Sequence, residues 1–162
     1  MNVDDTLEFL LGRWSVHRSI VHADGRHATF RGMGVFTVQR CAYEPQRQRW
    51  AHYEERGSLR FDGSSSSATR QLDYTSGPED RGVNICFSDG RHFISLDLSA
   101  GSWVDRHLCV ADLYEISTRV LSPDVIEERW VVRGPTKSYD AQTTMTRIVP
   151  SPAFAGAAVF PS

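Results

Sequence analysis

Asp89-Gly90-Arg91-His92-Phe93, His107-Leu108-Cys109-Val110-Ala111-Asp112-Leu113-Tyr114 and Trp130-Val131-Val132-Arg133-Gly134-Pro135-Thr136-Lys137-Ser138-Tyr139 are the segments whose reading decides the fold. Titratable, polar and aromatic side chains recur in them at positions that a strand with period two would otherwise fill with aliphatics. Asp89-Gly90 is the strongest hairpin signal in the chain. Gly134-Pro135-Thr136-Lys137 reads as a tight turn between the last two strands.

The same period extends outward in both directions. Trp14, Val16, Arg18 and Ile20 share one face of a first strand, which ends at Ala23-Asp24-Gly25. Phe30, Gly32, Gly34, Phe36 and Val38 line the next, with small residues where a strand must bend sharply. A third strand runs from about Gln48 to Gly57, with short pieces over Ser58 to Phe61 and a flexible turn at Gly63 to Ser67. Ala68, Arg70, Leu72 and Tyr74 share a face, as do Val83, Ile85 and Phe87 after the turn Ser76-Gly77-Pro78. His92 to Leu98 follows, then a loop over Ser99 to Asp105 that carries Trp103. The last strands are His107 to Leu121 (broken near Ala111), Val125 to Arg133 and Tyr139 to Val149, and Pro150-Ser151-Pro152 ends the fold. Ahead of all this, Val3 to Leu11 reads as one short amphipathic helix, with Asp4 or Asp5 as N-cap and Gly12 as the stop. The pattern predicts an all-β, antiparallel barrel of about 8–10 strands over residues 1–150, with a short N-terminal helix and a flexible tail over residues 151–162. A sandwich is the structural alternative.

Composition narrows the function classes. The 162 residues fit one domain, and a net charge of −2 leaves no electrostatic footprint for nucleic acid or an anionic membrane. No apolar run is long enough for a transmembrane helix, and the acidic start lacks the basic region of a signal peptide. Cys41, Cys86 and Cys109 are odd in number and widely spaced, which predicts reduced thiols and a cytoplasmic protein. Of the 18 basic residues, Lys137 is the sole lysine, an arginine bias expected of a G+C-rich bacterial genome.

Gly12-Arg13-Trp14 resembles the G-x-W signature of the lipocalin-like (calycin) superfamily, and Arg147 falls where that superfamily places an arginine over the Trp at the closed end of the barrel. Over nearly the whole chain, Leu10-Leu11-Gly12-Arg13-Trp14, Asp89 to Phe93, His107 to Tyr114 and Gly134-Pro135-Thr136-Lys137-Ser138-Tyr139 are similar to the DUF6314 family of uncharacterised proteins. The resemblance implies the barrel and brings no established activity.

Strand parity then decides what faces inward. It puts Arg18, Arg70, Asp112 and Glu128 inside with Tyr114, Trp130 and Tyr139. Buried charges must pair or meet a ligand, so this set predicts either internal ion pairs bracing a filled barrel or a polar-lined cavity. We expect a small-molecule-binding barrel holding a planar or anionic ligand through Arg18, Arg70, Asp112, Tyr114, Glu128, Trp130, Tyr139 and Lys137, with Asp112 near the mouth. The alternative is a cofactor-independent cyclase, isomerase or hydrolase using Asp112 or Glu128 as acid or base and Tyr114 or Tyr139 as donor. A filled-barrel interaction module is the third, and homodimerisation is left open. His107 and Cys109 lack the partners a metal or a nucleophile requires, so Cys109 is expected to be a small core residue, His107 a hydrogen-bond partner at a strand end, and no metal or cofactor is expected.

Overall fold

The computed structural model describes residues 1–39, 49–77 and 80–149. Helix α1 (Thr6–Leu10) is followed by β1 (Gly12–His22), β2 (His27–Gln39), β3 (Arg49–Phe61), β4 (Ser64–Ser76), β5 (Val83–Cys86), β6 (His92–Leu96), β7 (Ser102–Cys109), β8 (Asp112–Ser122), β9 (Val125–Arg133) and β10 (Ser138–Arg147). All ten strands form one antiparallel sheet in the order β6-β5-β4-β3-β2-β1-β10-β9-β8-β7. A single sheet curled on itself is a barrel, not a sandwich.

Closure is incomplete in its backbone ladder. β6 and β7 are the sheet's two edges, joined by the Ser95 N–H donating to the Asp105 carboxylate at 2.7 Å and by His107 packing on Phe93, ring centroids 5.1 Å apart. Curvature elsewhere comes from glycine. Gly32 and Gly57 face each other across β2 and β3, and a Cβ on Gly32 would lie 2.8 Å from the Gly57 Cα and 2.6 Å from the Phe30 ring. Only two glycines let the strands approach this closely under that ring.

One end is plugged. The Asp5 side chain caps α1 by accepting from the Glu8 N–H, and at Gly12 a φ of +107° releases the chain into β1. Trp14 is fully buried, donates its indole N–H to the Leu10 carbonyl at 2.8 Å, and carries the Arg147 guanidinium 4.2 Å from its ring centroid. Arg147 also donates to the carbonyls of Leu11 and Phe9 at 2.9 and 2.7 Å. The side chains of Val16, Phe36, Tyr53, Tyr74, Ile116, Ile126 and Leu98 fill the space above this plug.

The elements differ from expectation in four places. The helix is shorter, because Val3 pairs its N–H with the Leu98 carbonyl at 3.2 Å instead of joining a helical turn. Ser64–Ser67 belongs to β4, held in register against Phe61–Ser58, so only Asp62-Gly63 turns. Trp103 sits within β7 opposite Thr118, which shrinks the loop before it to residues 97–101. The expected break near Ala111 is a full hairpin at Val110-Ala111, with Val110 at a φ of +59°. Cys41, the Pro150-Ser151-Pro152 stop and the tail over residues 151–162 lie outside the described residues.

Candidate functional site

The half of the barrel away from the plug is hollow, with a cavity of about 880 Å³ open at the mouth. The expectation of a filled barrel therefore fails. Inward parity delivers Arg18, Ile20 and His22 from β1, Leu59 and Phe61 from β3, and Arg70 and Leu72 from β4 to its wall. Phe93, His107, Tyr114, Trp130 and Tyr139 complete an aromatic side. Phe93 lies 5.4 Å from Trp130, and Tyr114 lies 6.2 Å from it, measured between ring centroids.

The floor is a charged cluster that the sequence reading did not contain. Glu55, on β3, is 2% exposed. Its carboxylate accepts both terminal nitrogens of Arg18 at 2.8 and 2.9 Å, the Tyr53 hydroxyl at 2.8 Å and one Arg70 nitrogen at 3.2 Å. Burial by itself would raise the Glu55 carboxyl, but the Arg18 fork, the Arg70 charge and the Tyr53 hydroxyl overcome it and hold the group down at about 2. Burial also pushes the Tyr53 phenol well up. Arg18 gives its Nε–H to the Thr143 hydroxyl at 2.8 Å and is thereby engaged through all three of its nitrogens.

Arg70 is not. Its guanidinium stacks 5.2 Å from the Trp130 ring centroid and 5.8 Å from that of Tyr53, and its side chain is 27% exposed. Its Nε–H is buried without an acceptor, as is the indole N–H of the neighbouring Trp130. Burying a donor unpaired is costly, so two orphaned donors on adjacent wall residues leave hydrogen-bonding capacity unused at one place.

At the mouth, the Lys137 Nζ donates to the Tyr114 hydroxyl at 3.1 Å. That bond raises the Lys137 ammonium above its ordinary value. Burial raises the Tyr139 phenol beside it. Among the described residues, the wall carries Arg18, Arg70, Arg91 and Lys137, together with three histidines, and no carboxylate. Arg91 is held by Asp89 within its own hairpin turn at 2.8 Å and Arg18 and Arg70 share Glu55, which leaves Lys137 as the wall cation without an ion pair among the described residues.

Of the residues singled out from sequence, Arg18, Arg70, Tyr114, Trp130, Tyr139 and Lys137 are brought together around the cavity. Asp112 and Glu128 are not on its wall. Asp112 is buried and one carboxylate oxygen accepts the backbone N–H groups of Thr136 and Lys137 at 3.0 and 3.3 Å. It braces the β9–β10 turn, and a Cβ on Gly134 would collide with it. Glu128 faces inward, half-buried and level with Thr143 in the register, within electrostatic reach of Arg70 and Tyr74, but below the cavity wall. His107 meets aromatic rings instead of a strand-end hydrogen bond, and Cys109 stands half-buried at the mouth as a free thiol. Among the described residues, no group of three or more histidine, cysteine or acidic side chains is arranged to hold a metal. Glu55 and Phe93 were missed; both alternate with clear outward residues, Glu54 and Arg56 for the first and His92 for the second.

Comparison with known proteins places these features in a family and a fold. The family model described as a family of unknown function, DUF6314, matches residues 10–147. Among curated proteins there is no match. Of solved structures, an S-type phycobiliprotein lyase from Guillardia theta superposes with a TM-score of 0.69 at 12% identity, over 93% of this chain and 95% of that one. A redesigned β-barrel, mFAP1, bound to DFHBI, gives a TM-score of 0.43 at 14% identity, over 87% of this chain and 97% of that one. At these identities the likeness is one of fold. No helix in the described residues is long and apolar enough to cross a membrane.

Proposed function

The chain belongs to the DUF6314 family, and from that premise and its half-hollow barrel we propose that it binds a small, flat, anionic organic molecule in the cavity. The observation that carries this reading is Arg70: a guanidinium at the cavity floor, flanked by the Trp130 ring, bonded to Glu55 through Nη2 alone and with its side chain still 27% exposed. A planar carboxylate, enolate or phenolate matches a guanidinium fork in shape and charge. The aromatic wall and a volume of about 880 Å³ suit a conjugated body attached to that acid. The S-type phycobiliprotein lyase shares the fold, and a small-molecule cavity here is in keeping with that.

The cyclase, isomerase or hydrolase alternative gives the acid–base role to Asp112 or Glu128. Asp112 is taken up by two backbone N–H groups and Glu128 stands off the wall, so binding is the reading the geometry favours. The test is native mass spectrometry of freshly purified protein, before and after denaturation. Excess mass that disappears on denaturation gives the ligand's formula. Arg70→Met should weaken binding of that molecule by about 10-fold or more, the value of a charged hydrogen bond. Affinity unchanged by Arg70→Met refutes the assignment of the acid to the floor.

A further inference from the structure

The cavity has two cationic stations at different depths. The floor station is Arg70, with Arg18 and Thr143 beside it. The mouth station is Lys137 on the Tyr114 hydroxyl. Their separation follows from the strands. Lys137 sits in the turn that precedes β10 and Tyr139 is the second residue of that strand, whereas Thr143, which meets Arg18, lies four positions further in. Four residues of strand span roughly 13 Å, or roughly 10 Å along the axis of a tilted barrel. Between the stations the wall is aromatic: Trp130 touches Arg70 at one side and Tyr114 at the other. The mouth cation has no carboxylate partner among the wall residues. A ligand with one acid would satisfy the floor and leave Lys137 bonded to a neutral phenol.

We infer that the ligand is two-headed: a rigid, conjugated molecule with one acid on Arg70 and a second anionic or strongly accepting group on the Lys137–Tyr114 pair, spanning the aromatic wall between them. This rests on the binding reading above and adds the identity of the second anchor. The acid enters first and lies deep, because the mouth is too solvated to hold it as tightly. Length then becomes a selection rule. A diacid too short to bridge the stations gains nothing over its monoacid, and one that fits gains a second ion pair without a second loss of translational freedom.

The experiment is calorimetric titration of the full chain with terephthalate, naphthalene-2,6-dicarboxylate and biphenyl-4,4′-dicarboxylate, each beside its monoacid. Wild-type protein should bind at least one diacid roughly 5-fold or more tighter than its monoacid. Lys137→Met should bring the ratio of diacid to monoacid affinity down to about 1. Arg70→Met should weaken both by about 10-fold or more. Tyr114→Phe, which keeps the ring and removes the hydroxyl, should lower the same ratio. Near-ultraviolet circular dichroism checks that each variant is folded. If monoacids bind through Arg70 but no diacid gains and Lys137→Met changes nothing, the second anchor is wrong and the binding reading stands. If no probe binds, or binding ignores Arg70→Met, the anionic-ligand reading and this inference both fall.

Discussion

Glu55→Gln tests the cluster on which the whole interior rests. The carboxylate accepts four hydrogen bonds, two from Arg18 and one each from Tyr53 and Arg70, at a site with 2% exposure. Its acid is held at about 2 against an ordinary 4.5. At 1.36 kcal/mol per unit, that difference corresponds to about 3 kcal/mol of folding stability at neutral pH. The sign follows from the direction. A carboxyl depressed in the folded state stabilises fully above its unfolded value and loses that contribution as pH falls through 4.5 towards about 2. Glutamine keeps the shape but turns an N–H₂ towards guanidinium donors and removes the charge that two half-buried arginines share. The expected result in urea denaturation is a loss of about 3 kcal/mol in the variant at about pH 7, shrinking below about pH 4.5 to about 1 kcal/mol by about pH 2.5, as the wild-type carboxyl nears its folded value. Other acids titrate identically in both proteins and cancel in the difference. A stability gap that stays constant across that range would refute the argument, because it would mean that Glu55 titrates alike in the folded and unfolded chains.

Three further outcomes are expected. Asp112→Ala should cost about 2 kcal/mol in urea denaturation by orphaning the Thr136 and Lys137 N–H groups; full stability in that variant would show that the turn needs no brace. Gly57→Ala should lower the thermal midpoint by several degrees, since its Cβ would sit 2.6 Å from the Gly32 Cα and 2.7 Å from the Phe30 ring, and an unchanged midpoint would sink the close-approach argument. Arg147→Met should cost roughly 2–4 kcal/mol in the same assay, through three lost hydrogen bonds and the cation–π contact on Trp14, and should change the near-ultraviolet signal of that buried indole.

Much of the barrel can be read from the chain because alternation and turn chemistry are local. Asp89-Gly90 gives its hairpin at a Gly90 φ of +84°, and Trp14 with Arg147 marks the plugged end although the two lie at opposite ends of the sequence. Glu55 escapes because β3 carries aromatics on both faces: Trp50 points outward at 37% exposure while Tyr53 is buried, so periodicity alone does not say which face is the inner one. Asp112 is inward by parity, yet its partners are backbone N–H groups in a turn whose conformation no side-chain pattern encodes. Glu128 shows the limit of parity from the other side. Facing inward fixes a direction but not a depth, and this carboxylate stands below the hollow half of the barrel. The missing ladder between β6 and β7 likewise has no signature in either strand, since it depends on how far eight others have curled.

The plug has a consequence for the way the protein is made. Trp14 lies on the first strand and Arg147 on the last, and β1 has only β2 beside it until β10 arrives. During synthesis from the N-terminus, the indole that anchors one end therefore waits, uncapped, for almost the entire chain to emerge. The interior cluster meets a milder delay, because Arg18, Glu55 and Arg70 are all present halfway through and Thr143 comes last. Such long-range closure is slow, and it exposes an unpaired strand edge while it lasts. The barrel is thus completed by its final strand, which brings Tyr139 and Ala141 to the pocket wall and Arg147 to the base in one step.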